Sequence, residues 1–240
     1  MGLTIHYSLK ASKTDDKLAL MLAAQQFAAQ QIKPKELSQV KHFTGKQIKQ
    51  HQDDVNSDWR WSVIQSGEYI DIGDRSSIPV YPKEAYLFRM WPGEGCEEAN
   101  FGLCSYPATT EFNGLRIKTR LSGWRWSSFC KTTYANEFVK CHLMVVAMLD
   151  WFDDHGLIEH VSDEGDYWED RDIQALAATH GDDLSMIAAF AGALKDGFGD
   201  GNIAAPILDH PNFEHLEMQG LSKGLNTLAL LNAIRNASKK

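Results

Sequence analysis

The chain has no long apolar run, no closely spaced cysteine pair and no surplus of basic charge. Its longest uninterrupted apolar stretch, residues 143–149, is 7 residues, against the ~18–20 that a helix needs to cross a bilayer. The start, Met1-Gly-Leu-Thr-Ile-His-Tyr-Ser-Leu9, lacks the basic opening and apolar core of a signal peptide. His6 also stands where a myristoylation signal wants Ser or Thr. These features exclude a membrane role and make the cytoplasm the expected location. A net charge of −8 disfavours a protein that holds nucleic acid by bulk electrostatics, because phosphate neutralisation needs a basic face. No dinucleotide fingerprint, P-loop, HExxH or Ser-His-Asp arrangement is present.

The four cysteines, Cys96, Cys104, Cys130 and Cys141, leave seven intervening residues in the first pair and ten in the last. Structural zinc sites place paired ligands two to four residues apart, so that one tight turn presents both sulfurs. A zinc or other divalent-cation site built from Cys96, Cys104 and His142 would need the fold to assemble it. In a reducing compartment free thiols are the simpler expectation.

What is present is concentrated in Trp91-Pro-Gly-Glu-Gly-Cys-Glu-Glu-Ala-Asn-Phe-Gly-Leu-Cys-Ser-Tyr-Pro107. Three glycines and two prolines predict an ordered loop rather than one regular element. Such loops, held by rigid elements, are where binding and catalysis usually sit. The stretch would present Glu94, Cys96, Glu97, Glu98, Asn100 and Cys104.

Around it the pattern is α+β. Residues 3–9 alternate as a half-buried strand, with His6 on the less apolar face, where a sheet-surface role is the simpler one. A helix follows, capped by Ser12 or Thr14, with a stripe through Leu18, Met21, Leu22, Gln25, Ala28, Ala29 and Ile32 and an end at Pro34. A weak strand is expected over 36–43 and a polar surface loop over 44–58. Strands are expected over 59–65, 68–72, 85–90 and 112–121, the last either continuous or a hairpin about Asn113-Gly114. The most hydrophobic helix runs from about Asn136 to His155 and stops at Gly156, with Cys141 and His142 on its broad stripe. A strand over 157–162 leads to an acidic turn, 163–172. Two helices, 173–180 and 182–197, then a flexible connector, an irregular stretch over 202–220 and a last helix from Leu221 to Ile234 complete the chain. The expectation is one domain over 1–240, strand-rich over 1–121 and helix-rich over 122–240, with a mixed or mostly antiparallel sheet covered by helices.

Trp124-Arg-Trp-Ser127 repeats Trp59-Arg-Trp-Ser62 letter for letter. Two strands each burying tryptophan would explain it; so would two aromatic walls flanking a site, with arginines aimed at an anion. Among the thiols, Cys130 is the better nucleophile candidate, being beside Lys131 and shortly before a helix. The acidic groups on 94–98 and 163–166 could hold a hard cation or act as an acid–base pair, or be solvated turns.

The stretches Gly2-Leu-Thr-Ile-His-Tyr-Ser-Leu9, Gly93-Glu-Gly-Cys-Glu-Glu-Ala-Asn-Phe-Gly-Leu-Cys-Ser-Tyr-Pro107 and Val161-Ser-Asp-Glu-Gly-Asp-Tyr-Trp-Glu-Asp-Arg-Asp172 resemble a group of bacterial proteins of uncharacterised activity. The resemblance implies a bacterial, intracellular protein and assigns no catalytic residue. The leading functional expectation is a pocket for a polar small molecule, with possible enzymatic use, formed by 91–107, 124–131 and 163–172. Trp91 and Trp126 would supply walls, Arg125 and Lys131 anion contacts, and Asn100, Asp163 and Glu164 orientation. Glu94, Glu97 and Cys130 would be the reactive groups. The alternatives are a protein-interaction or regulatory partner of toxin–antitoxin type, and a metal-dependent nuclease using the two acidic loops.

Overall fold

The computed structural model describes residues 3–32, 36–73, 75–134, 137–198, 206–209 and 212–222. The chain opens with strand β1 (Thr4–Ala11), helix α1 (Lys17–Phe27) and a π-helical turn, Ala28–Ile32. Strands β2 (Glu36–Leu37) and β3 (Lys41–Thr44) and helices α2 (Gly45–Asp53) and α3 (Arg60–Gln65) follow. A strand-rich stretch then runs through β4 (Glu68–Gly73), β5 (Ser76–Val80), β6 (Glu84–Trp91), β7 (Ala99–Ser105), β8 (Thr109–Phe112), β9 (Leu115–Lys118) and β10 (Trp124–Lys131). The rest is α4 (Phe138–Asp154), β11 (Ile158–Asp163), α5 (Tyr167–Asp170), α6 (Ile173–Phe198), a 3-10 turn, Pro206–Asp209, and α7 (Phe213–Ser222).

The main sheet runs β11-β1-β10-β7-β6, with β2 and β3 both paired to the far side of β6. Every pairing is antiparallel. The hairpins β4–β5 and β8–β9 stand apart from it, the second turning at Asn113 and Gly114, both at positive φ. The fold is therefore the α+β single domain expected, with helices concentrated in the second half.

One sheet face carries Ile5, Tyr7, Leu9 and Trp126 and packs with α1 and α4 into the principal core. Phe101 stacks between Tyr7 and Phe152, at 5.3 and 5.4 Å between ring centres. All seven residues of β7 are buried. In α4 the residues Met144, Val145, Val146, Met148 and Leu149 are buried, while Val139 and Leu143 are only partly covered. The N-cap of α1 is Asp16, whose carboxylate accepts from Ala19 N. Ser12 and Asp15 form the preceding turn instead. Met21, Ala24 and Ala28 face inward, whereas Leu18 and Leu22 are exposed.

Several local expectations are corrected. Residues 59–65 are mostly helix α3, because Trp59, Ser62, Val63 and Ser66 recur at helical spacing and all four are buried, while Trp61 points out. The polar stretch 44–58 contains α2, set by a capping box between Thr44 and Gln47. Residues 99–105 form the central strand β7 rather than part of a loop. Gly181 does not break α6, which passes through it, and the stretch expected to be irregular contains α7. The cap at Asn136, the stop at Pro34, the 199–201 part of the connector and most of the last predicted helix lie outside the described residues.

The ladder between β7 and β10 opens in its middle. Pairing holds at Trp124 with Ser105 and Arg125 with Cys104, and a backbone bond reappears where Glu97 N donates to Lys131 O at 3.0 Å. In between, side chains serve the backbone. Tyr7 OH and Trp126 Nε1 both donate to Asn100 O, at 2.8 and 2.7 Å, so the buried carbonyl is satisfied without a strand partner.

Candidate functional site

The residues expected to form a pocket separate into two groups. Those of 91–98, the end of β10 and the turn after β11 do meet, around the first turns of α4. Trp91 is half-buried with its indole N–H on Cys96 O at 3.2 Å. Glu97 accepts from Lys131 N through its carboxylate at 3.3 Å, and Glu164 Oε2 accepts from Thr4 N at 2.9 Å. Glu94 is exposed. Arg125 and Trp126 lie elsewhere. Arg125 is ion-paired to Glu159 at 2.9 Å on the opposite sheet face, and the Trp126 indole is fully buried in the core. Asn100 is also interior, its side-chain oxygen accepting from Ser62 Oγ at 2.7 Å.

Where the three segments meet, packed side chains hold them together. The Cys96 and Cys141 thiols are neighbours that perturb each other, Cys141 Sγ donates to Pro92 O at 3.4 Å, and Cys130 Sγ donates to Glu97 O at 3.3 Å. Burial pushes the Cys130 thiol up, with Glu97 adding to the effect, so the activated thiolate expected from the sequence is opposed. Lys131, the cation expected to lower it, sits over the Tyr134 ring at 5.2 Å. Cys96 is likewise raised by burial and by the neighbouring thiols. The set Cys96, Cys104 and His142 does not assemble. Cys104 lies near the far end of β7, about 17 Å along the strand from Ala99 at ~3.3 Å per residue. Among the described residues no group of three His, Cys, Asp or Glu side chains is placed to hold a metal ion.

Beside the thiols is a buried ion-pair geometry. His142 Nε2 lies 3.0 Å from Asp163 Oδ2, and both side chains are fully buried. Thr132 Oγ1 is 3.0 Å from His142 Nδ1. Gly165 N and Trp168 N donate to the two carboxylate oxygens at 2.8 and 3.0 Å. A Cβ at position 165 would fall 2.5 Å from the Leu176 side chain, so glycine lets the turn close over the pair. Burial pushes the Asp163 carboxyl up, but the His142 imidazole and the two backbone N–H groups outweigh it and hold the group below its ordinary 3.8. The stability this contributes is complete above the ordinary value and is lost as pH falls through the lower value of the folded state. Urea midpoints should therefore fall more steeply below about pH 4 in the wild type than in Asp163→Asn. Equal slopes would contradict it.

The accessible site lies on the other face of the sheet. Strand alternation and register put His6 and Ser8 of β1, Ser127 and Phe129 of β10, and His160 and Ser162 of β11 on that face. Two cross-strand rows result: His160–Ser8–Ser127 and Ser162–His6–Phe129. The end of α3 and the start of β4 rise beside them, and the resulting cleft, of about 660 Å³, is lined by His6, Ser8, Ile64, Gln65, Gly67, Glu68, Tyr69, Ser127, Phe129 and His160, among others. Ser127 Oγ donates to Glu68 Oε1 at 3.1 Å, and Ser128 Oγ to Gln65 Oε1 at 3.4 Å, tying wall to floor. The His6 and Phe129 rings are 5.8 Å apart. Both imidazoles are exposed, and neither has a hydrogen-bond partner among the described residues.

Comparison with protein-family models, with curated proteins and with solved structures gives no match to this chain. The site is therefore argued from its own chemistry. Of the residues expected from the sequence, the cleft takes in only the 127–129 part of β10. His6 had the simpler reading of a sheet-surface histidine, and His160, Glu68 and Tyr69 gave no local signal. The one available sign was the recurrence of His-x-Ser at 6–8 and 160–162, each on a predicted strand.

Proposed function

We propose that the protein binds a small polar molecule bearing an apolar ring or chain, in the cleft between the open sheet face and the α3–β4 wall. The observation that carries this reading is the pair of imidazoles, without hydrogen-bond partners among the described residues, in a concave surface that also presents Ile64, Tyr69 and Phe129. Ligand sites typically combine an apolar lining with a few placed polar groups. His6 and His160 can each donate or accept, Glu68 accepts, and the hydroxyls of Ser8 and Tyr69 do either.

Thermal unfolding against a panel of nucleotides, aromatic amino acids and hydroxy acids tests it. A ligand at 100 times its dissociation constant adds about 2.7 kcal/mol, which for a chain of this size raises the midpoint by roughly 5–11 °C. The shift should vanish in Tyr69→Ala and His160→Ala and persist in Glu94→Ala. A shift indifferent to both cleft substitutions would contradict the placement.

The competing reading, a protein-interaction surface, draws on Trp61 and Tyr69, whose side chains are 56% and 69% exposed on neighbouring elements. A stoichiometric partner on copurification, lost in Trp61→Ala and kept in His160→Ala, would favour it.

A further inference from the structure

We infer that the cleft is an acid–base site for phosphodiesters, in which His6 and His160 are the proton-transferring pair. The inference rests on the cleft being the ligand site and adds the substrate class and the chemistry.

Antiparallel pairing sets His6 opposite Ser162 and Ser8 opposite His160. Two imidazoles and two hydroxyls thus alternate around one four-residue patch, with the Cα atoms of His6 and His160 on a diagonal of about 7–8 Å. That spacing separates two reaction types. Acyl transfer uses one histidine, which takes and returns a proton on the same side of the reacting carbon. Displacement at phosphorus is in line, so the attacking and leaving oxygens lie on opposite sides and need a base and an acid held apart. A phosphate between the two imidazoles would receive the Ser8 hydroxyl, and that of Ser162, on its non-bridging oxygens.

The charge in the cleft favours a diester. Glu68, held by Ser127, is the carboxylate of the wall, and it opposes a doubly charged monoester more than a singly charged diester. One row away, Lys10 and Arg125 are both tied to Glu159, at 3.4 and 2.9 Å. Phe129 and Tyr69 offer ring faces for an aryl or nucleobase group. The patch and Glu68 do not form a three-ligand metal cluster, so proton transfer by imidazole is the chemistry these side chains themselves supply.

In the step, a water oxygen bonds to phosphorus as one imidazole takes its proton. The bond from phosphorus to the leaving oxygen breaks, and the other imidazole, entering protonated, gives that oxygen its proton. Diester and water become monoester and alcohol, and a proton exchange with solvent resets the pair.

The test uses the full chain with a nucleoside 2′,3′-cyclic phosphate, in EDTA, following monoester formation and, separately, binding by calorimetry. Turnover should survive EDTA and fall by about 10²-fold or more in His6→Asn and in His160→Asn, with the thermal midpoint of the ligand-free protein retained. Both histidines are exposed and have no hydrogen-bond partner among the described residues, so neither substitution removes a buried contact and the variants keep the fold. Binding without turnover would overturn this inference and leave the ligand-site reading standing. Turnover that EDTA abolishes, or that both variants retain, would overturn it as well. Absence of both binding and turnover, with a silent ligand panel, would remove the two readings together.

Discussion

Asp163→Ala should lower the thermal midpoint by roughly 6–20 °C, from a cost of about 3–5 kcal/mol for removing one partner of a buried, hydrogen-bonded pair. The carboxylate is the acceptor for three groups: the His142 imidazole and the N–H groups of Gly165 and Trp168. Removing it leaves all three without that acceptor, the His142 and Gly165 groups in the interior. The elements it joins are distant in sequence, since α4, the turn after β11 and, through Thr132, the end of β10 meet at this one pair. His142→Ala should cost a similar amount, and the double variant less than the sum, because each single change already orphans the other partner. Asp163→Asn keeps an acceptor oxygen and should fall between wild type and Ala. Full additivity in the double-mutant cycle would show that the two side chains act independently.

Trp126→Ala should cost about 3–5 kcal/mol, the usual range for removing a buried large aromatic. The indole is fully buried, and its N–H serves the Asn100 carbonyl where the β7–β10 ladder is open. Trp126→Phe isolates the second role. It keeps much of the ring volume, and Tyr7 OH still donates to the same oxygen, so it should cost clearly less, about 1–2 kcal/mol. Adding Tyr7→Phe then leaves the carbonyl without a donor, and the pair should be worse than the sum of the singles by about 1 kcal/mol or more. Chemical unfolding of the four proteins measures this directly; a simple sum would mean that the gap is sealed some other way.

These two sites also mark where sequence reasoning stops. The fold class was legible, because β1, β6 and α4 carry strong patterns and the chain punctuates itself with Gly and Pro. β7 was not, because a strand buried on both faces shows no alternation, and it is preceded by the glycine-rich turn at 93–95. Residues 59–65 misled through their β-forming side chains, although the spacing of Trp59, Ser62, Val63 and Ser66 was helical. A meeting of 91–107, 124–131 and 163–172 was expected. Of these the chain brings together 91–98, the end of β10 and the turn after β11, while 99–105 is the central strand and Arg125 and Trp126 lie apart. The close packing at the meeting point was hidden, since nothing local says that Cys96 reaches Cys141 or that Asp163 reaches His142. The cleft was hidden for a related reason. His6 and His160 become neighbours only because β11 returns to pair with the first strand of the chain, and that pairing has no local signature.

The central claim, that the open face beside α3 and β4 is where a ligand sits, is tested most directly by imidazole resonances. In a 15N-labelled protein titrated with a nucleoside 2′,3′-cyclic phosphate, the His6 and His160 side-chain signals, assigned through His6→Asn and His160→Asn, should move together and saturate. Those of His42, beside Glu84, and of His51, beside Ser57, should stay in place. Saturable shifts at His42 or His51 with His6 and His160 unmoved would contradict the account.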